Sequence, residues 1–294
     1  MPQEYPNDTI KVLFERASCR SFEDKPVESD VLTLVLDAGI HAASGGNLQP
    51  FSIIKVEDVA ASSRLADLCG DQQFIAQAPV NLLFCIDFWR LKRWAQLEHA
   101  PFTATSSFRH FWISFQDTII AAQNVCTAAD AVGLGSVYVG SVLECFRELR
   151  EMFALPEAVF PVVLLSLGYP KLQARPRRKL PVSVVVHDGK YRDIPDDDLL
   201  RVFAEKYPLS APIEATPERL GTFRAACNAA GGPEFAARCL ERVEQAGGFN
   251  MVQRYFGLHY CANRMPMDNT KFLEILGEVG FHCFEEYVLD RSDG

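Results

Sequence analysis

Arg16-Ala-Ser-Cys-Arg20 and, further along, Ala43-Ser-Gly-Gly-Asn-Leu-Gln-Pro50 are the stretches on which the reading of this chain turns. Arg16 and Arg20 supply planar, forked donors that match phosphate oxygens, and Ser18 adds a hydroxyl. The pair Gly45-Gly46 lets backbone approach a flat group more closely than any side chain would permit. Together they describe a site for a ring that carries a phosphate. Plainer readings stand beside this one: the arginines can be charges at a helix end, and Ser44 and Asn47 form a turn with the two glycines.

Outward from these stretches, the pattern predicts a capped helix over residues 7–18 and a second over 28–42, where Val31, Leu32, Val35 and Ala38 recur at helical spacing. Apolar, largely β-branched runs predict strands at 51–56, 80–86, 135–139 and 160–167. The longest predicted helix, 106–132, shows a broad apolar face through Phe108, Phe111, Trp112, Phe115, Ile119, Ala122 and Val125, suited to a core or an interface. Two prolines and a β-branched run make Leu180-Pro-Val-Ser-Val-Val-Val-His187 an extended arm. Beyond Tyr191 the composition shifts to helices at 195–204, 217–230, 233–247 and 269–280, joined at Gly or Pro. The chain therefore divides into a core, 1–192, and a helical C-terminal extension, 193–294, packed on the same domain or on a partner protomer.

Composition narrows the function. The 294 residues are 48% hydrophobic and 23% charged, ordinary values for a globular protein with a sizeable core. With 38 acidic against 29 basic residues the net charge is −9, which disfavours broad nucleic-acid binding. No run approaches the roughly 20 apolar residues that cross a bilayer, and residues 1–9 are too polar and proline-broken for a signal peptide, so a soluble cytoplasmic protein is expected. The nine cysteines are scattered without a Cys-x-x-Cys pair and read as reduced core thiols. His41, His99, His110 and His187 lack metal-ligand spacing, and no metal is expected. The glycines of Gly133-Leu-Gly-Ser-Val-Tyr-Val-Gly140 do not follow the Gly-x-Gly-x-x-Gly pattern of a Rossmann dinucleotide site.

The order of motifs carries more than any one of them. Arg16-Ala-Ser-Cys-Arg-Ser-Phe22, Pro26-Val27, Ala43 to Pro50, Gly70-Asp-Gln-Gln-Phe-Ile-Ala-Gln-Ala-Pro79, Asp117 with Ala121-Ala-Gln-Asn124, Gly133 to Gly140, Leu155-Pro156, Gly168-Tyr-Pro170, Arg175-Pro-Arg177 and Val186-His187 with Tyr191 follow one another along residues 8–192. In that order the chain resembles the FMN-dependent nitroreductase family, in particular its oxygen-insensitive, NADPH-preferring nitroreductase and flavin reductase branch. The resemblance implies an α+β nitroreductase-like fold, with a mixed, mainly antiparallel sheet flanked by helices, and a domain-swapped homodimer holding FMN at the subunit interface. It implies that Arg16, Ala17, Ser18 and Arg20, with Arg175 and Arg177, hold the phosphate. Ser44, Gly45, Asn47 and Gln49 would line the ribityl chain and pyrimidine edge, Gln72 would face the flavin, and Val139, Gly140 and Ser141 would cross the ring near N5. It also implies ping-pong hydride transfer from NADPH or NADH through the flavin to a nitroaromatic, quinone or similar electron-poor acceptor. No residue acts as acid, base or nucleophile in that scheme. Two departures stand out: residues 89–102 carry no diagnostic substrate motif, and residues 207–267 have no counterpart in the resemblance. Alternatives are an FMN enzyme of the same fold with another reaction, such as a dehalogenating reductase or an oxidase, and a flavin-binding sensor or scaffold.

Overall fold

The computed structural model describes residues 4–208 and 211–287. In chain order the elements are α1 (Asp8–Glu15), α2 (Ser29–Ile40), β1 (Phe51–Val56), α3 (Val59–Leu68), α4 (Gln73–Gln77), β2 (Val80–Asp87), α5 (Phe88–Leu97), α6 (Phe108–Ala131), β3 (Gly135–Val139), α7 (Phe146–Met152) and β4 (Val159–Gly168). After these come α8 (Val182–Val185), α9 (Asp196–Lys206), α10 (Pro217–Gln245), α11 (Met251–Arg254) and α12 (Asn269–Glu278).

The four strands form one sheet in the order β1-β2-β4-β3, and every ladder in it is antiparallel. The parallel component of the expected mixed sheet is confined, among the described residues, to an isolated bridge between Ser18 and Ser136. Central strands β2 and β4 are buried along their whole length, as strands covered on both faces must be. Alternation along β2 sends Leu82, Phe84 and Ile86 into one layer, with Leu32 and Val35 of α2 and Val125 and Ala129 of α6. Leu83 and Cys85 point into the other, with Leu65 of α3, Ile75 of α4 and Leu149 of α7. Asn81 and Asp87 are the polar residues of β2; the Asn81 amide donates to the Ile75 carbonyl and Ser62 Oγ and accepts from Ser166 Oγ, which satisfies it beneath α3 and α4.

Three elements differ from expectation for identifiable reasons. The first helix stops at Glu15 instead of running to 18, because Arg16 turns to extended backbone and Cys19 N–H donates to the Ser136 carbonyl at 2.9 Å. Residues 16–19 thereby lie along the edge strand β3. The arm at 180–187 contains a single helical turn at 182–185, started by Pro181 and closed by Val186 N–H on the Val182 carbonyl. The two helices expected over 217–247 form α10, which Gly232 interrupts with φ of 79°, a conformation that glycine adopts without strain.

By packing, the chain separates into a unit running to Pro176 and resuming at Leu273, and a second unit from Arg177 to Phe272. The division differs from the compositional one at 192: Ile275, Leu276, Val279 and Phe281 belong to the same core layer as α2 and α6. The second unit has its own small core, with Phe223 edge-on to Phe249 at 5.1 Å, beside Cys227, Ala236 and Val243.

Candidate cofactor site

Edge strand β3 organises the candidate residues. At its start, Ser18 bridges Ser136, and Gly135 is required by close approach: a Cβ there would stand 2.6 Å from Cys19 Cβ. The chain after β4 is tied to the same segment, with Glu23 N–H donating to the Tyr169 carbonyl and Lys171 N–H to that of Ser21. Arg16 and Ala17 consequently share a pocket of about 200 Å³ with Gly133, Pro170, Gln173 and Ala174, and Arg175 is the next residue in sequence after Ala174.

Arg16 is the charged centre of that pocket. Its Nε donates to Cys126 Sγ at 3.4 Å and lies 4.0 Å from Asp130 Oδ2, while Tyr138 spreads its ring 5.9 Å from the guanidinium. Arg16 Nη2 is buried with no hydrogen-bond partner, and so is Asp130 Oδ2. Burial pushes the Asp130 carboxyl up to about 6, against the pull of Arg16. A buried donor left unpaired is costly unless something else pairs it. Ser18 and Arg20 are exposed, and Arg20 lies 5.7 Å from the Phe74 ring. Arg175 and Arg177 are exposed; Arg177 opens the second unit.

The other end of β3 is built differently. Val139 is buried, and at Gly140 a Cβ would meet nothing within 4 Å, leaving open space over the backbone. Ser141 Oγ accepts from Gln72 Nε2 at 2.9 Å, and both groups donate to the Cys69 carbonyl, at 3.1 and 2.6 Å. Two residues far apart in sequence are thus brought together, as their shared assignment requires.

The Ala43 to Pro50 loop forms a separate local structure. Gly45 N–H donates to Asp117 Oδ2 at 3.0 Å, and Ser44 Oγ accepts from Gln49 N–H at 3.3 Å. Asn47 and Gln49 hold positive φ, 56° and 49°, a strained conformation for side-chain-bearing residues that recurs at functional sites. Gln49 is anchored twice over, its Nε2 donating to the Ile40 carbonyl and its own carbonyl accepting from Arg90 Nη2 at 2.6 Å. Its side-chain donor is therefore committed to the fold. A cleft of about 320 Å³ opens beside this loop, between Gly45, Leu48, Trp94, Phe102, His110 and Asp117. Asp117, Asp130 and Arg90 support the site without having been read from composition or spacing. An acid among the apolar residues of a long helix is the signal for Asp117; Asp130, at the C-terminal end of that helix, and Arg90 have none.

A sheet with helices on both faces, an edge strand with a pocket around Arg16 at one end and an open glycine at the other, describes an α+β protein with a candidate cofactor site. The chain belongs to the nitroreductase family, whose model matches residues 13–169. It is 32% identical over 193 residues to the NADPH-flavin oxidoreductase of Vibrio harveyi, spanning 66% of this chain and 78% of that one. It is 34% identical over 186 residues to an FMN reductase [NAD(P)H] of Bacillus subtilis, spanning 63% and 75%. Among solved structures, NfrA2 of B. megaterium superposes with a TM-score of 0.71 at 26% identity, covering 94% of this chain and 98% of that one. Arg175 and Arg177 lie outside the family-model match. Among the described residues, no His, Cys, Asp or Glu cluster could hold a metal, and no helix is long and apolar enough to cross a membrane.

Proposed function

We propose that this protein is an FMN-dependent NAD(P)H oxidoreductase that passes electrons to a nitroaromatic, a quinone or a similar electron-poor acceptor. The observation that carries the reading is Arg16 Nη2, a buried cationic donor without a partner at one end of β3. A phosphate dianion supplies the acceptor it lacks. The residues present fit the group at the other end too: Gly140 leaves room for a ring, and the Gln72 amide retains its oxygen as an acceptor. FMN, when bound, supplies a two-electron carrier that takes hydride from a nicotinamide and delivers it to the acceptor.

The chain's own residues position and neutralise. Arg16, with Ala17, Ser18, Arg20, Arg175 and Arg177, holds the phosphate; Ser44, Gly45, Asn47 and Gln49 hold the middle of the cofactor; Gln72, Val139, Gly140 and Ser141 hold the ring. No dyad or nucleophile is called on. The relatives' names support the donor and the carrier, since they specify NADPH, FMN and flavin reduction. The protein purified from its expression host is expected to be yellow, to contain FMN near one per chain, and to oxidise NADPH or NADH with a nitroaromatic or quinone. A colourless protein that ignores added FMN refutes the reading. Under anaerobic stopped-flow, flavin reduction by neither nicotinamide would move it to an oxidase of the same fold.

The assembly is a cytoplasmic homodimer exchanging chain segments. It is supported by the exposed apolar side chains Phe108, Trp112, Phe115 and Ile120 along α6, a surface that an isolated chain would leave wet. Light scattering at the mass of one 32.8 kDa chain would refute it.

A further inference from the structure

The cleft beside the Ala43 to Pro50 loop has no part in the proposed hydride transfer. Of the residues assigned to the cofactor, only Gly45 lines it. Its apolar wall comes from the stretch without a diagnostic substrate motif, through Leu91 and Trp94 of α5 and Phe102 beyond it. Across from these stand Ser114 and Asp117, one turn apart on the same side of α6. The exposed stripe of Phe108, Trp112 and Phe115 projects from the opposite side of that helix, so the surface offered to a partner protomer is not the one that lines the cleft.

The polar groups of the cleft are buried and short of partners. Ser114 is 4% exposed and Asp117 5%. Asp117 Oδ2 accepts from Gly45 N–H, and among the described residues this carboxylate makes no other hydrogen bond and no ion pair. The Ser114 hydroxyl makes none among them either; only the Ser114 carbonyl is engaged, by Thr118 Oγ1. His110, two turns from Asp117 along α6, is the one basic residue among those described that lines the cleft, and Asp117 is not paired with it. Arg90 of α5 is committed to Asp87 and to the Gln49 and Phe51 carbonyls. A carboxylate held in an apolar cleft without a cation carries a desolvation cost that a cation offsets. Burial accordingly raises the Asp117 pKa, opposed by the bond from Gly45.

We propose that this cleft is a binding site for a planar aromatic cation, its ring among Leu91, Trp94 and Phe102 and its charged N–H groups on Asp117 and Ser114. A volume of about 320 Å³ accommodates a mono- or bicyclic ring system. Trp94 and Phe102 offer aromatic faces, which attract a cation. A neutral ring of the same shape gains the apolar contact but leaves the carboxylate without a counter-charge, and an anion meets it as a like charge. The inference does not rest on the flavin reading, since the wall, the acid and the hydroxyl are in place whatever the cofactor.

The test titrates the full-length protein by calorimetry with benzamidine and with benzamide, its neutral counterpart, each without and with saturating FMN. The expected result is saturable benzamidine binding that FMN leaves unchanged, with benzamide about tenfold weaker, the worth of a charge-assisted hydrogen bond. Asp117→Asn keeps an oxygen for Gly45 N–H and should bring the two ligands to about equal affinity. Trp94→Ala alters a side chain that is 54% exposed and should weaken both ligands about threefold while keeping the preference, so it decides the matter if Asp117→Asn fails to fold. Absence of saturable benzamidine binding, or equal binding of the two ligands by wild type, overturns the proposal. So does a preference that survives Asp117→Asn, which marks adventitious cation binding on the acidic surface, and so does an affinity that Trp94→Ala leaves unchanged. Displacement of benzamidine by FMN overturns it as well, because the cleft would then be part of the cofactor site. Protein that binds no FMN overturns the flavin reading alone, and the benzamidine titration still reads the cleft.

Discussion

The two ends of β3 satisfy their polar groups in opposite ways. At the Ser141 end, Gln72, Ser141 and the Cys69 carbonyl close on one another, and the arrangement stands without a ligand. At the Ser136 end, a guanidinium nitrogen and a carboxylate oxygen are both buried without a hydrogen-bond partner, the carboxylate left with only a long ion pair to Arg16 Nε. Only the second carries an outstanding demand for a partner. On the proposed reading, the Ser141 end is preorganised and would contribute shape, while the Ser136 end, held at some expense in folding free energy, would contribute the electrostatic attraction. Cofactor affinity should therefore respond far more to the Arg16 end than to the Gln72 end.

Charge reversal at Arg16 breaks the comparison most severely. Arg16→Glu replaces the unpaired donor with a second acid beside Asp130, and FMN affinity is expected to fall about 100-fold or more, the worth of one or two charge-assisted hydrogen bonds plus repulsion. The melting temperature should change less, because the wild-type guanidinium is itself poorly paired. Fluorescence titration alongside thermal unfolding reads both, and unchanged affinity would remove Arg16 from the site. Gly135→Ala tests the scaffold rather than the charge. The added methyl meets Cys19 and must push residues 16–19 off the edge strand, so a loss of stability of about 1–3 kcal/mol should accompany weaker FMN binding. Denaturant unfolding and the same titration would show whether the two losses travel together.

How far the sequence could be read follows from whether each element is decided locally. Strands 51–56 and 135–139 stand at the bounds the β-branched runs predicted, since turn residues limit them on both sides. Helix α6 agrees for a similar reason: Ser107 caps it and Gly133 follows it. The first helix was extended too far because its end is set from elsewhere, by the Ser136 carbonyl that captures Cys19. The Gln72–Ser141 bond, spanning 69 residues, illustrates the same limit in the site. Resemblance supplied both residues; nothing in their spacing says they touch. Asp130 escaped notice because, at the C-terminal end of an apolar helix, an acid reads as solvated surface, whereas here it is drawn inward beside Arg16.

At the preorganised end the effects should be smaller. Gln72→Ala removes a side chain that bonds both Ser141 and the Cys69 carbonyl, and an FMN affinity loss of about fivefold is expected, with little change in stability. A loss matching that of Arg16→Glu would erase the difference between the two ends. Ser141→Ala, which takes away the smaller partner and leaves Gln72 on the Cys69 carbonyl, should cost less still.

The finest test is the pH dependence of Asp130. Its folded-state pKa, pushed up to about 6, lies above the ordinary carboxylate value of about 4, so the folded protein holds this proton more tightly than the unfolded chain. The resulting stabilisation is complete below about pH 4 and is lost as pH rises through about 6. Asp130→Asn is neutral throughout and should lack that component, so the stability advantage of wild type over the variant should shrink from pH 4 to 6 and then level off. A phosphate at Arg16 would sharpen this, because its negative charge raises the Asp130 pKa further; FMN binding near pH 6 should then take up a proton in wild type and less of one in the variant. Calorimetry in buffers of different ionisation enthalpy measures the difference. Equal proton uptake by the two proteins would mean that Asp130 does not face the anion, and the unpaired Arg16 nitrogen would have to meet its ligand from the side of Gln173 and Ala174.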